Sequence, residues 1–332
     1  MIPPGKIPPD VLQRAVLSNL GVRRREVLVH AGLGEDSAVI DFGEFVAVLT
    51  TDPITGASRR AGWLGVHVCC NDLASNGAEP IGVLTTLLFP EGTTEADVAR
   101  VVAEVNEAAS ELGIEVIGGH SEVTLGLSSL LLSVTAIGIA PKAGYVTSAG
   151  ARPGHYIIVT KGVAIEGTAV LATDFEDELA VCLMEGDVRS AQGLYSRISV
   201  VRDGLVAARH GASALHDVTE GGIVGALYEL AEASGVGMDV RAEDIPILPE
   251  TDTVCRHYGI DPLRLIASGA MLVAAPDGEA MLAHLEREGI PATVIGRATE
   301  AGRRLIFGDH TEDIKPPERD ELWRVLEKKE RA

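Results

Sequence analysis

The chain has 332 residues, a length that points to two domains rather than one. Hydrophobic residues make up 46% and aromatics only 4%, so Val, Leu, Ile and Ala must fill the cores, which suits an α/β or α+β protein better than an aromatic-rich β-sandwich. Lys plus Arg number 28 against 48 Asp plus Glu, a formal net charge of −20 that opposes binding to nucleic acid or anionic membranes but not to a polyphosphate held through magnesium.

The opening, Met1 to Lys6, has no apolar signal core, and no uninterrupted apolar run reaches the ~18 residues of a membrane span. The expectation is a cytoplasmic protein. Residues 10–20 place Val11, Leu12, Val16 and Leu20 at helical spacing. A Gly-rich turn follows at Ala31–Asp36, then a strand-like run, Phe45–Leu49, ending in Thr50-Thr51-Asp52. A helix is expected from about Gly62 to Ser75, stopped by Gly77, and a strand over 80–89. Cys69 and Cys70 lie in that apolar helix. With Cys182 and Cys255 they have no zinc-ligand spacing and read as buried reduced thiols.

Residues 95–112 form the clearest helix, with Val98, Val101, Val102, Val105, Ala108, Ala109 and Leu112 on one face and Gly113 closing it. Strands are expected around Glu115–Ile117 and Ser128–Ile139. Pro, Gly and Ser then break the periodicity over 140–154, which places a domain boundary there, between domains 1–145 and 150–332. The second half opens with a strand at His155–Thr160 and a helix near Glu166. A further helix begins beyond Thr219, strands follow at Ala270–Ala275, Thr293–Gly296 and Leu305–Phe307, and a charged amphipathic tail begins at Lys315. Strands and helices mix without regular alternation, so the expected class is α+β (mixed α/β) in two domains.

An acidic residue recurs at strand ends or in Gly-rich turns: Gly34-Glu35-Asp36, Thr50-Thr51-Asp52, Asn71-Asp72, Gly118-Gly119-His120-Ser121-Glu122 and His216-Asp217-Val218-Thr219. Singly, each is an ordinary turn or cap residue. Together they resemble the parts of a magnesium–phosphate site, since hard magnesium takes oxygen ligands and glycines let the backbone approach phosphates. Thr219 reads as a helix N-cap, and Gly221 and Gly222 as a first turn opened either for an anion or for a tight packing contact. Lys161 sits between a strand and a helix, as a phosphate-facing lysine or a solvated one. Lys6 reads as a lid residue or a surface lysine, and His120 as an acid–base or a positioning residue. P-loop, zincin, kinase and nucleophile-elbow patterns are all absent.

In order, these motifs resemble the superfamily of AIR synthase, thiamine-monophosphate kinase, selenophosphate synthetase and the hydrogenase maturation protein HypE. Gly34–Val39 is similar to its G-D-D-A-A-V loop, Thr50-Thr51-Asp52 to its T-T-D, and Asn71–Pro80 to its N-D-[LI]-A-x-x-G-A-x-P. His216–Gly222 is similar to R-D-x-T-R-G-G of HypE, and Ala231–Gly237 to its E-I-A-x-x-S-G-V-G. The resemblance implies an N-terminal α/β domain that pairs with a second copy in a β-barrel-like dimer, an α+β C-terminal domain, and ATP with Mg2+ in a cleft near the dimer interface. Asp36, Asp52, Asp72 and Asp217 fall on its metal positions. Gly34, Asp36, Asp52, Asn71, Gly118, Gly119, Thr219, Gly221 and Gly222 are the expected nucleotide contacts, with Lys161 and His120 the candidate catalytic groups. The implied activity is transfer or cleavage of the γ-phosphate to activate an amide, thioamide or phosphate-bearing substrate. Alternatives are a hydrogenase-maturation partner acting on another polypeptide and a thiamine-monophosphate-kinase-like enzyme. HypE ends in a cysteine, whereas this chain ends Lys328-Lys329-Glu330-Arg331-Ala332, which makes it a HypE-like paralogue of unassigned substrate.

Overall fold

The computed structural model describes residues 6–57, 59–316 and 318–330. Residues 1–5 and the terminal Arg331 and Ala332, used in the sequence reading, lie outside them. The first half forms a six-stranded sheet in the order β1-β2-β3-β6-β4-β5. Its strands are β1 (Val27–Val29), β2 (Ala38–Asp41), β3 (Phe45–Ile54), β4 (Glu79–Phe89), β5 (Glu115–Val123) and β6 (Leu131–Pro141). Neighbours are antiparallel except β4 and β5, whose parallel pairing needs a crossover.

The helix α2 (Glu95–Leu112) makes that crossover. Thr94 and Asp97 close a reciprocal capping box at its start, and Gly113 at φ +68° ends it. Val101, Val105, Ala108 and Ala109 face the core, while Val102 points to solvent. Helix α1 (Ala61–Ser75) is apolar on nearly every side because it is buried on every side, lying between the sheet, α2 and the second half. The opposite face of the sheet is uncovered and carries exposed Leu84, Ile117, Leu131 and Ile139. The sheet is open, with β1 and β5 at its edges.

The second half forms a seven-stranded sheet in the order β13-β12-β9-β11-β7-β10-β8. Its strands are β7 (Tyr156–Thr160), β8 (Ala214–Asp217), β9 (Gly237–Arg241), β10 (Met271–Ala275), β11 (Ala292–Thr299), β12 (Arg303–Phe307) and β13 (His310–Asp313). Helices α4 (Val201–Arg209) and α5 (Gly222–Ser234) pack against it, while α3 (Ile165–Asp174) packs among the neighbouring helices Glu185–Gln192 and Pro249–Tyr258. The core beneath α1 continues into α3, and the final helix, Glu321–Glu330, inserts Leu322 and Val325 into it.

Four expectations change. Cys69, Cys70 and Cys255 are buried, but Cys182, at the end of the helix Glu176–Cys182, is exposed. The 10–20 segment is helical only over Pro9–Val16, the latter part as a π turn, and Val16 and Leu20 are exposed rather than core-facing. Strand β3 does not end at Asp52 but runs on to Ile54. Gly118–Glu122 is not a turn but part of the exposed edge strand β5.

Candidate functional site

Both halves contribute walls to a cleft of about 660 Å³. Four of its aspartates, Asp36, Asp52, Asp72 and Asp217, come from four different segments of the chain. Alternation along β3 puts Thr50 and Asp52 on one side of the strand, and Thr50 hydrogen-bonds both the Asp36 carbonyl (3.1 Å) and the Asp72 carboxylate (2.5 Å). Asp72 projects from α1. Asp217 ends β8, where its N–H donates to Ser75 Oγ at 3.1 Å. Asp36, Asp52, Asp72 and Asp217 all line the cleft.

So many carboxylates in one buried space cannot all stay charged. Burial, then Asp217, Asp52 and Asp36, push Asp72 well above the usual carboxylate range. Burial and Asp36 push Asp217 up to about 8. Burial raises Asp52 as well, while a hydrogen bond with Asp72 pulls the other way. The Oδ2 atom of Asp217 is buried with no hydrogen-bond partner. Repelling hard oxygens and an unsatisfied carboxylate oxygen fit a small divalent cation, which would offset the repulsion among them. Among the described residues, no three His, Cys, Asp or Glu side chains already stand in a metal-ligand arrangement. The donors are gathered but not preformed.

A second layer holds the first. His216 bridges Asp36 (Nδ1, 2.9 Å) and Glu229 (Nε2, 3.2 Å), and Glu229 meets Lys6 Nζ at 2.9 Å. Burial works against a charged imidazole, but Asp36 and Glu229 outweigh it and hold His216 well above its ordinary range. Farther along the cleft are Glu166, Ser268, Asp320, Leu322 and Trp323. Burial brings the Glu166 and Asp320 carboxyls each to about 7.

The remaining sequence-derived candidates take other positions. Lys161 does not line the cleft: its ammonium is buried, bonding the Arg197 and Ser199 carbonyls (3.0 and 2.6 Å) and lying 3.4 Å from Asp203, so it secures a turn. Asn71 is similarly spent, with its amide bonding Ile198 O and Val200 N. His120 stands exposed on β5, paired with Glu122 at 3.0 Å. Gly118 and Gly119 serve strand pairing there, since a Cβ on Gly119 would lie 2.1 Å from Thr85 O.

Thr219 lines the cleft but does not cap α5; Gly221 does, at φ +90°. The Gly221 N–H already donates to Asp320 at 2.6 Å, and a Cβ on Gly222 would meet Leu263 O at 2.6 Å. The packing reading therefore accounts for these two glycines. Gly34 likewise allows close approach to α5, where a Cβ would lie 2.7 Å from Glu229 O. The residues that sequence reasoning missed are Glu229, Asp320 and Trp323, and their only signal was charge or an aromatic ring on an amphipathic helix or beside one.

Two family models match the chain: the AIR synthase related protein N-terminal domain over residues 34–140 and its C-terminal domain over residues 152–307. A relative from Methanocaldococcus jannaschii, named as a hydrogenase expression/formation protein, is 30% identical over 91% of this chain and 91% of its own. The carbamoyl dehydratase HypE of Cupriavidus necator is 31% identical over 78% of this chain and 75% of its own. A thiamine-monophosphate kinase of Methanospirillum hungatei is 30% identical over 75% and 77%. Among solved structures, the hydrogenase maturation protein HypE in complex with ATP superposes with a TM-score of 0.66 at 20% identity, covering 92% of this chain and 93% of that one. A HypE–HypF complex gives 0.69 at 22% identity, covering 86% and 94%. With both halves matched in order, and the two-domain mixed α/β architecture shared, the chain belongs to the AIR synthase related family.

Proposed function

We propose that the cleft binds magnesium–ATP and uses the γ-phosphate to activate the oxygen of an amide- or thioamide-type group, in the manner of a HypE-like enzyme. The observation that carries this reading is the convergence of Asp36, Asp52, Asp72 and Asp217 on one cleft, where they repel one another and leave the buried Asp217 Oδ2 unpaired. These four would hold magnesium, which supplies charge neutralisation at the phosphates. Thr50 and Ser75 orient Asp72 and Asp217, and the His216–Glu229 pair fixes Asp36. The chain's own task is thus positioning and exclusion of water more than acid–base chemistry. Support comes from a related HypE crystallised with ATP and from relatives named as carbamoyl dehydratases.

A substrate group carried on another polypeptide fits this reading, since a related HypE is found in complex with HypF. The uncovered apolar face of the first sheet supports a homodimer. Among the described residues, no helix is long and apolar enough to cross a membrane, which accords with a cytoplasmic enzyme. Calorimetry with ATP tests the proposal: binding should require magnesium and disappear in D72N and D217N, both still folded by circular dichroism. Unchanged affinity in both variants refutes it.

A further inference from the structure

The rim of the cleft is built differently from its floor. The aspartates are wholly or largely buried, but Lys6, Glu220 and Trp323 are only partly so, and all three line the opening. They come from three distant parts of the chain and meet on one atom. Glu220 Oε1 accepts the Lys6 backbone N–H at 2.9 Å and the Trp323 indole N–H at 3.0 Å.

The other contacts of each arm make this junction a clasp rather than a chance surface bond. On one side, the Lys6 ammonium reaches inward to Glu229 at 2.9 Å, and Glu229 bonds His216, which holds Asp36. The described N-terminal segment, a strap that begins at Lys6, is therefore held at that one residue, its side chain beside the aspartates and its backbone on Glu220. On the opposite side, Trp323 belongs to the final helix, whose start is pinned by Asp320: its carboxylate accepts the Gly221 and Leu322 N–H groups at 2.6 and 2.8 Å. Leu322 then seats in the core against Gly56, where a Cβ would lie only 3.0 Å from its methyl. The helix is thus a fixed post, while the Lys6 side chain at the strap is 55% exposed. An acceptor at position 220 is what joins them. The corresponding position in the HypE-like pattern R-D-x-T-R-G-G is an arginine, which has no acceptor to offer either N–H.

We propose that Glu220 is a latch that fastens the N-terminal strap to the final helix across the mouth of the cleft, so that ligand entry and exit are gated by this one carboxylate. The proposal rests on the nucleotide-site reading only for the identity of what is gated; the latch itself is testable without nucleotide. Breaking it should speed opening of the strap while leaving the floor intact.

The test compares wild type with E220A, which removes the acceptor, and E220Q, which keeps a side-chain oxygen. In nucleotide-free protein, solvent exchange of the Trp323 indole N–H is followed by NMR, with the Trp63 indole as internal control. It should accelerate about tenfold or more in E220A, as expected for loss of a hydrogen bond at a partly buried site, and stay near wild type in E220Q. Stopped-flow binding of a fluorescent ATP analogue with magnesium should then show association and dissociation rates rising together in E220A, with little change in Kd. Unchanged indole exchange in E220A overturns the latch whatever the nucleotide does. Accelerated exchange with a rise in dissociation rate alone also overturns gating, because it makes Glu220 a ligand contact. If wild type binds no ATP analogue, the functional reading fails, and the indole exchange still decides the latch.

Discussion

Ser75 and Asp217, 142 positions apart, bond each other reciprocally: the Asp217 N–H donates to Ser75 Oγ at 3.1 Å, and that hydroxyl lies 3.4 Å from Asp217 Oδ1. One hydroxyl thereby registers β8 of the second half against α1 of the first, and so sets Asp217 relative to Asp72. S75A removes it and leaves a buried N–H without an acceptor. The expected cost is about 1–3 kcal/mol of stability in denaturant titration, with a larger proportional loss of magnesium–ATP affinity by calorimetry. Loss of stability without loss of affinity would mean that the pair does not position Asp217.

D217N should separate folding from binding. With its pKa pushed up to about 8, Asp217 is mostly protonated at neutral pH in the free protein, so the neutral amide is a close mimic of its resting form. The variant should unfold at or slightly above the wild-type temperature in a thermal melt, while magnesium-dependent nucleotide binding is lost.

Stability of the free protein should fall as pH rises. The native state holds protons on Asp217, Asp72, Glu35, Glu166 and Asp320 that the unfolded chain releases at ordinary carboxylate values. Where the native state binds more protons, stability declines with increasing pH. For Asp217 the decline spans the window from its unfolded value of 3.8 to about 8. Glu229, held near 2 by Lys6 and His216 against the effect of burial, acts with the opposite sign only on the acid side of its ordinary value. Under the proposed function, magnesium–ATP would bind the ionised form, so its stabilising shift in a thermal melt should grow across the same window. A shift that shrinks with pH would contradict protonated aspartates in the free site.

K161M is expected to be a folding variant. It removes the ammonium that satisfies the Arg197 and Ser199 carbonyls and leaves buried Asp203 uncompensated. Loss of one partner of such a pair costs about 3–5 kcal/mol. ATP affinity of the fraction that remains folded should be near wild type.

Paired charges on the open sheet face should abolish self-association. Leu84 and Ile117 are 43% and 50% exposed on β4 and β5, so L84E/I117E removes no core contact. Light scattering should report a dimer for wild type and a monomer for the variant, with unchanged circular dichroism. A monomeric wild type refutes the proposed dimer.

Helix α2 was legible from sequence because everything that makes it is local: a capping pair three residues apart, an apolar face at helical period, and a closing glycine. The short strands β1, β2, β9 and β13, of three to five residues, carry too little periodicity to read and owe their existence to pairing partners elsewhere. At the cleft, Asp36, Asp52, Asp72 and Asp217 could be grouped only because four motifs occur in a familiar order. Lys161 and Asn71 misled for the opposite reason. Each is a polar residue beside a motif, and each is consumed by the backbone of 197–200, a relationship only the fold reveals. Glu229 looks like any acid on an amphipathic helix until His216 and Lys6 arrive from either side.

The final helix also has a consequence for biosynthesis. Leu322 and Val325 fill space in a core whose other buried members, from Val39 on β2 through α1, β6 and α3 to Leu265, are all translated well before residue 321. A ribosome releases those members long before it releases the side chains that seal them. The early half must therefore wait with an apolar gap beside Leu64, Val68 and Gly56 until residues 321–330 emerge, and truncation ahead of Leu322 should yield a chain that is captured by chaperones rather than a smaller working enzyme.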